Sequence, residues 1–442
     1  MVDGFGFEWG GFFLRGGLHQ GVWYGKIQIG VGNAHAKKQK DGQVMPKRTV
    51  TLERPERFAG KRIIDRDKLE RAARAACDKL KARVMREGKG FPATASTDFK
   101  YDQGTNSHWE CGMYSACFQL AYQLTGDEFF KEVALEHLET YRERWENKVG
   151  LDDHDVGFVY MPGCVSSYKL YGNEAAKKIA LEVVDYYYDT SWSPEGRFII
   201  RLHKSWRAGY ADGYRTMMDS LMNAPFFFWA SEVTGDPKYR EAAIEHVRTT
   251  DNLLIREDGS SFHHYQFDPV THAPVRGLTW QGHSDDSCWS RGHSWGVYGF
   301  PIAYSYAHEQ FMKDVHRDVT YFMLNHLPED FIPYWDYDFV EGDQPRDSSA
   351  GVISACGLIE MAGMMQDDEP DKAIFENAAA AMLEAVIDNC TGDIGRDYDG
   401  LICHVTHALP QGHGIDECAI YGDYFYLEAL ARYLVPGFKK YW

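Results

Sequence analysis

From Asp65 onward the apolar positions recur with the helical period. In RDKLERAARAACDKLKARVM, residues Leu69, Ala72, Ala73, Ala76 and Leu80 fall on one face, the stripe that an amphipathic helix buries. A unit then repeats. LTGDEFFKEVALEHL (124–138) returns as VTGDPKYREAAIEHV (233–247), and LYGNEAAKKIALEVV (170–184) is a looser copy. Each copy reads as a helix end, a glycine turn with Asp or Asn beside it, and a new amphipathic helix. The glycine suits the position just past the first helix, and the Asp or Asn can cap the second. MMQDDEPDKAIFENAAAAML (364–383) follows the same plan with proline in the first turn.

The turns are spaced by 46, 63 and 109 residues, which implies helical hairpins of roughly 50–60 residues each. A chain of 442 residues exceeds the usual domain size, and a closed ring of about six hairpins fits that length better than an open solenoid. The long non-helical segments 97–110, 148–163, 189–215, 256–292 and 328–350 each lie between hairpins. They are expected to surround one mouth of the ring, where function usually resides.

Residues 1–50 break the pattern. They are rich in glycine and aromatics and end in the basic run AHAKKQKDGQVMPKR. This segment is expected to be a poorly ordered or non-native extension, unnecessary for function, with Met45 as an alternative start. Residues 51–442 are expected to form a single domain. The charge divides in the same place: residues 1–48 hold seven Lys/Arg against three Asp/Glu, about +4, so the remainder carries about −22 of the net −18.

That acidity argues against nucleic acid or an anionic membrane surface as a partner. An anionic substrate stays possible, because local arginines dominate within a screening length of roughly 8 Å. Nine cysteines, none in a CxxC pair, read as free buried thiols in a reducing cytoplasm rather than a zinc site or a disulfide framework. The amino terminus lacks the basic start and apolar core of a secretory signal, and no stretch of about 18 apolar residues offers a membrane span. A cytoplasmic location is expected.

The densest chemistry lies in QGHSDDSCWSRGHSWGVYGF (281–300). It combines polar tips, two adjacent carboxylates, an arginine, two tryptophans and four glycines. The glycines argue against a helix interior, and the mixture suits a pocket for a sugar acid: flat faces to stack on and an arginine for a carboxylate. The alternative is a polar loop leading into a buried helix. Two aspartates stand out elsewhere. Asp219 lies in YRTMMDSLMNAPFFFWASEV, an apolar helical run broken at Pro225, where burial would raise its pKa as a general acid requires. It could equally be a capping residue or pair with Arg215. Asp155 lies in LDDHDVGFVYMPG, beside His154 and a turn containing Gly157, and could be a loop cap.

His263 and His264, in SSFHHYQFDP, are candidate site residues or supporting groups. A metal would have to draw on His263, His264, His283, His293 and the Asp285/Asp286 pair; no HExxH-like spacing exists among them, and none is expected. The chain has no P-loop, no GxGxxG after a strand and no GxSxG elbow, which argues against nucleotide-driven and serine-hydrolase readings.

From about residue 60 to the end the sequence resembles the unsaturated glucuronyl hydrolases, a glycoside hydrolase family. The resemblance rests on HDVGF (154–158), RTMMDSLMN (215–223), residues 281–300, PRDSSA (345–350) and YGDYFYLEAL (421–430), in that order. It implies an all-α (α/α)6 barrel of six helical hairpins. It also implies an enzyme that removes a Δ4,5-unsaturated uronic acid from the non-reducing end of lyase-generated oligosaccharides, with no metal or organic cofactor. In that family the C4=C5 enol ether is hydrated and the resulting hemiketal opens, expelling the remaining sugar. On this sequence Asp219 matches the general acid/base and Asp155 the second essential carboxylate. His263, Gln281, Arg291 and Trp295 match substrate-contacting positions, Trp109 matches an aromatic wall, and Trp206 is a further substrate-binding candidate. The first 50 residues have no counterpart. A Ser-x-x-Ser-x-Lys pattern found in members that accept sulphated fragments is replaced here by ALPQGH (408–413), so a weaker preference for sulphated substrates is expected.

Alternatives remain: an unsaturated rhamnogalacturonyl hydrolase with the same chemistry, an (α/α)6 epimerase using two histidines, or a noncatalytic glycan-binding barrel.

Overall fold

The glycine turns close helical hairpins in the way their sequence implies. Gly126, Gly172 and Gly235 each take a left-handed conformation just past a helix, with φ of 69°, 67° and 75°. Asp127, Asn173 and Asp236 then cap the following helix, their side chains accepting from the amides of Phe129, Ala175 and Lys238. Two hairpins lack the signal: His308 adopts a left-handed turn at φ 56° where no glycine marks it, and the 364–383 copy departs from the expected plan, with an extended Met365 ending the first helix and Glu369 starting the second without a side-chain cap.

The computed structural model describes residues 48–201, 214–392 and 394–442. In chain order the helices are α1 (Arg66–Glu87), α2 (Cys111–Thr125), α3 (Glu128–Glu146), α4 (Val156–Tyr160), α5 (Ser166–Tyr171), α6 (Glu174–Ser191), α7 (Ala224–Thr234), α8 (Pro237–Leu254), α9 (Ser290–Ala307), α10 (Gln310–Asn325), α11 (Ser348–Met364), α12 (Pro370–Asn389) and α13 (Ile420–Leu434). A π-helical turn, Met161–Val165, joins α4 to α5 into one continuous rod. Around the inner ring α2 meets α4, α4 meets α7, α7 meets α9, α9 meets α11, α11 meets α13, and α13 returns to α2. Helices α3, α6, α8, α10 and α12 back their predecessors, and α1 backs α13, so the first and last helices complete the sixth pair. The result is the (α/α)6 barrel.

Burial explains which helices are inner. Helix α11 (SSAGVISACGLIEMAGM) is small and apolar all round because it touches neighbours on every side, whereas α1 buries Leu69, Ala73, Ala76 and Leu80 on one face. Glycine sets the spacing of the inner ring. A Cβ at Gly112 would lie 2.3 Å from the carbonyl oxygens of Phe158 and Val159, and one at Gly357 would lie 2.3 Å from that of Val297. These helices approach backbone to backbone.

Several boundaries differ from the sequence reading. The segment 148–163 is not a continuous loop, because α4 starts at Val156. The four-glycine stretch does not exclude a helix: α9 runs from Ser290 through Gly292, Gly296 and Gly299, with Pro301 inside it. Pro225 does not break a helix but sits in the first turn of α7. A further loop, 390–419, joins α12 to α13 and was not singled out by pattern. Short strand pairs decorate the loops: β1 (Phe91–Pro92) with β2 (Gln103–Gly104), and β3 (Trp192–Ser193) with β4 (Phe198–Ile199). A three-stranded antiparallel sheet orders β5 (Arg215–Met217), β6 (His264–Phe267) and β7 (Pro274–Leu278).

The extension reading for residues 1–50 falls almost wholly outside the described residues. Arg48, within that span, already ion-pairs with Asp251 and lies 3.7 Å from Asp318. All nine cysteines are buried and free. Among the described residues no helix is long and apolar enough to cross a membrane.

Candidate active site

The inner helices begin at one end of the barrel, and a cavity of about 480 Å³ opens there. Asp155 is the cap residue of α4, and Asp219 opens a 3₁₀ turn (Asp219–Asn223) that runs into α7. Trp109 and Trp289 stand just before α2 and α9. Helix N-termini present unpaired amides and partial positive charge, so such a mouth favours an anionic ligand.

Asn223 holds the two aspartates in register. Its Oδ1 accepts from the Gly157 amide at 2.8 Å, and its Nδ2 donates to the carbonyls of His154 at 2.7 Å and Ser220 at 3.0 Å. A Cβ at Gly157 would meet that Oδ1 at 2.7 Å, so the Asp155 loop can approach this closely only with glycine there. Tyr187 adds a second donor to the His154 carbonyl.

His154 lies between the carboxylates. Its Nδ1 pairs with Asp153, and its Nε2 is 3.4 Å from Asp155 Oδ1 and 3.8 Å from Asp219 Oδ2. Burial alone would strip the ring of its proton, but the surrounding carboxylates outweigh it and hold the imidazolium well above the usual histidine range. Burial also dominates at Asp155 and, with Asp153 and Asp219 nearby, pushes its carboxyl up to about 7. At Asp219 burial acts in the same direction, yet the hydrogen bond and charge of His154 win and the pKa falls below the ordinary value. The sequence reading expected the raised carboxyl to be Asp219; in the free protein it is Asp155, because His154 compensates Asp219. The cationic group within 4 Å of Asp219 is His154; Arg215, the partner in the alternative reading, has its Nη1 3.0 Å from His264 Nε2.

Six of the sequence-derived candidates line the cavity: Trp109, Asp155, Asp219, Gln281, Arg291 and Trp295. Trp109 stacks on Tyr421 at 5.2 Å and meets the edge of Phe158, which also supports Trp295 at 4.9 Å. Arg291 is 1% exposed. Its Nη1 pairs with Asp347 at 2.9 Å and donates to the Thr406 carbonyl at 2.6 Å, while Nη2 donates to His407. Gln281 Nε2 donates to the same His407 carbonyl at 2.9 Å. Both side chains therefore anchor the 404–417 hairpin as well as facing the cavity. His263 sits behind the wall, its Nδ1 facing the amides of Trp280 and Gln281 at 3.2 and 3.4 Å and its Nε2 buried without a partner. Burial lowers its pKa to about 4, so it is a neutral donor. Trp206 lies outside the described residues.

The geometry adds Asp153, His154, Arg201, Trp280, Trp289, His407, Gln411 and His413 to the lining. His154 was legible as the neighbour of Asp155, but nothing local shows that both its nitrogens face carboxylates. Asp153, His154 and Asp155 have donor atoms within 4.8 Å of one another. Of the other histidines weighed for a metal, His293 has both nitrogens against Ser261 Oγ and the Val319 carbonyl. The site thus offers three carboxyls, a histidine facing all of them, aromatic plates and buried arginine. It is equipped for acid–base chemistry on an anionic sugar.

Comparison with known proteins agrees. Residues 82–421 match Glycosyl Hydrolase Family 88. The unsaturated chondroitin disaccharide hydrolase of Streptococcus pyogenes serotype M1 is 36% identical over 406 residues, 90% of this chain and 99% of that protein. The crystal structure of unsaturated glucuronyl hydrolase from Streptococcus agalactiae superposes with a TM-score of 0.86 at 33% identity, covering 90% of this chain and all of that one (100%). A mutant of the same enzyme complexed with dGlcA-GalNAc6S superposes with a TM-score of 0.78 at 32% identity, covering 90% and 100%. The chain belongs to glycoside hydrolase family 88.

Proposed function

We propose that this protein is a glycoside hydrolase that removes a Δ4,5-unsaturated uronic acid from the non-reducing end of lyase-generated oligosaccharides, by hydrating the C4=C5 enol ether. The observation that carries this reading is the Asp155–His154–Asp219 cluster, set in a cavity with aromatic walls at the mouth of a family 88 barrel.

Asp219, as the acid, protonates C4, and the positive charge that develops at C5 and O5 is stabilised by the neighbouring carboxylate. Asp219, now ionised, takes a proton from the water that attacks C5. The hemiketal then opens and releases the rest of the sugar. Asp155 holds the ring hydroxyls. Trp109 and Trp295 supply apolar walls, and His263 backs the wall by accepting from the Trp280 and Gln281 amides. Gln281 and Arg291 shape the pocket through the 404–417 hairpin, and no step calls for a metal or cofactor. The carboxylate-separation rule of ordinary glycosidases does not apply, because bond making is at C5.

The substrate is an unsaturated di- or oligosaccharide and the location cytoplasmic. Ala408, Gln411 and His413 line the cavity where sulphate-accepting members carry Ser, Ser and Lys, which supports a weaker preference for sulphated sugars. Loss of the ultraviolet absorbance of the conjugated acid, followed with unsaturated chondroitin, hyaluronan, heparin and rhamnogalacturonan disaccharides, tests the reading. Wild type should consume at least one of them, unsulphated faster than sulphated. Asp219→Asn should lose about a thousandfold or more in kcat while still binding. No loss with any disaccharide overturns the reaction, and faster turnover of the sulphated partner overturns the preference.

A further inference from the structure

Two imidazoles lie near Asp219, and their surroundings give them opposite states. The Nδ1 of His263 faces two backbone amides and must accept, so that ring is neutral with its hydrogen on Nε2. Both nitrogens of His154 face carboxylates: Nδ1 faces Asp153, and Nε2 faces Asp155 and Asp219 together. A ring so placed has no acceptor role to fill, and it holds two N–H donors. Its backbone is fixed from three sides, by the Asp153 carboxylate on its amide and by Asn223 and Tyr187 on its carbonyl. The Nδ1 contact with Asp153 then aims Nε2 at the pair it bridges.

We propose that His154 is the proton store of this site: its Nε2–H, poised between Asp155 and Asp219, is the hydrogen that loads Asp219 for delivery to C4. This rests on the enol-ether hydration reading above. In the loading step the Nε2–H bond breaks and its electron pair stays on nitrogen. A new O–H bond forms on Asp219 Oδ2, and the pair passes from imidazolium and carboxylate to imidazole and carboxylic acid with no change in total charge. Asp219 then protonates C4 and recovers a proton from the water that adds to C5, so water alone is consumed.

The separations of 3.4 and 3.8 Å are longer than a hydrogen bond, as is common before a substrate closes a site. The free-enzyme charges fit this arrangement, since the imidazolium is favoured and Asp219 is ionised. The charged and titratable groups facing His154 are Asp153 and Asp155 on its own loop, Asp219 on the 3₁₀ turn, Tyr187 from α6, and more distantly His263 beside β6 and Arg201, which lies 3.8 Å from Asp153. No other cation contacts both aspartates within 4 Å among the described residues. The three groups titrate as one system, so the profile belongs to the cluster.

The test begins with wild-type protein carrying ¹⁵N-labelled histidine, because that readout needs neither substrate nor a variant. His154 should be an imidazolium with both nitrogens protonated near pH 7.5, about one unit above the free side chain; a neutral ring there overturns the proposal whatever the substrate proves to be. On a disaccharide that wild type consumes, His154→Gln should lose about a hundredfold in kcat with KM within about threefold, and its pH profile should lose the limb that the cluster sets. In a folded His154→Gly, turnover should return by about tenfold or more with added imidazoles, more with those whose acidity matches the missing ring. His154→Gln with wild-type kcat and an unchanged pH profile overturns the proposal. So does rescue that follows the size of the additive and ignores its acidity. Failure of wild type on every disaccharide would instead defeat the reaction reading and leave the nuclear magnetic resonance result standing.

Discussion

Replacing Arg291 with methionine removes one half of an ion pair in which the partners are 1% and 0% exposed. Asp347 then keeps its charge in the barrel interior, where burial already outweighs Arg291 and raises its pKa. Breaking one partner of such a pair costs about 3–5 kcal/mol, whereas neutralising both is far cheaper. Taking about 4 kcal/mol and an unfolding entropy of roughly 2.1 cal/mol/K per residue over the folded body, the melting temperature should fall by about 5 °C. Arg291→Met/Asp347→Asn should recover about 2 kcal/mol of that loss, the remainder being the carbonyls of Thr406 and His407 left without their donor. The deficit of the single variant should also shrink as pH falls, because the carboxyl of Asp347, already raised by burial, can then take up a proton. Scanning calorimetry at one fixed scan rate compares the three proteins. Activity should not follow stability: kcat/KM stays low in both variants, since the 404–417 hairpin is unpinned in both. A double variant no more stable than the single one, or a single variant within about 1 kcal/mol of wild type, refutes the reasoning that buried charge imbalance is what Arg291 relieves.

Three further outcomes follow from the same structure. Glu110 is buried with no hydrogen-bond partner in normal geometry on either carboxyl oxygen, and burial above all raises its pKa from 4.5 to about 7. Its neutral form is favoured by folding, so wild type should lose stability as pH rises from about 4.5 through about 7, and Glu110→Gln should melt up to about 3 kcal/mol higher above that window with no gain below it; an equal gain at all pH values would contradict this. Gly357→Ala places a Cβ 2.3 Å from the Val297 carbonyl oxygen, so α11 and α9 must separate, with a loss of about 1–3 kcal/mol or more in thermal unfolding. Unchanged stability would mean the inner ring is looser than its spacing implies. Asn223→Ala removes the amide that hydrogen-bonds both to the Asp155 loop and within the Asp219 turn, and kcat should fall at least about tenfold with little change in KM; a KM effect alone would assign Asn223 to substrate binding.

The helical hairpins were legible because each part of their signal is local. A left-handed glycine, a capping Asp or Asn and a 3.6-residue apolar period all act within one or two turns, as Gly126, Asp127 and the α3 stripe show. The hairpin at His308 was not legible, since a non-glycine residue took the same conformation. The glycines of 281–300 pointed away from a helix because their cost is local, while their benefit lies in packing that α9 makes with distant chain. The site divides in the same way. Residue types singled out Asp155 and Asp219, the family resemblance added Trp109, Gln281, Arg291 and Trp295 as site residues, and all six line one cavity. Charge state was beyond their reach. A pKa depends on which groups from different elements come within a few ångströms, and the reversal between Asp155 and Asp219 rests on a histidine next to one in sequence and near the other only in space. Arg291 likewise reads as a free carboxylate binder until the barrel closes. Closure brings Asp347 and the 406–407 carbonyls onto it from loops 56 and 115 residues away, and only then is its guanidinium an anchor.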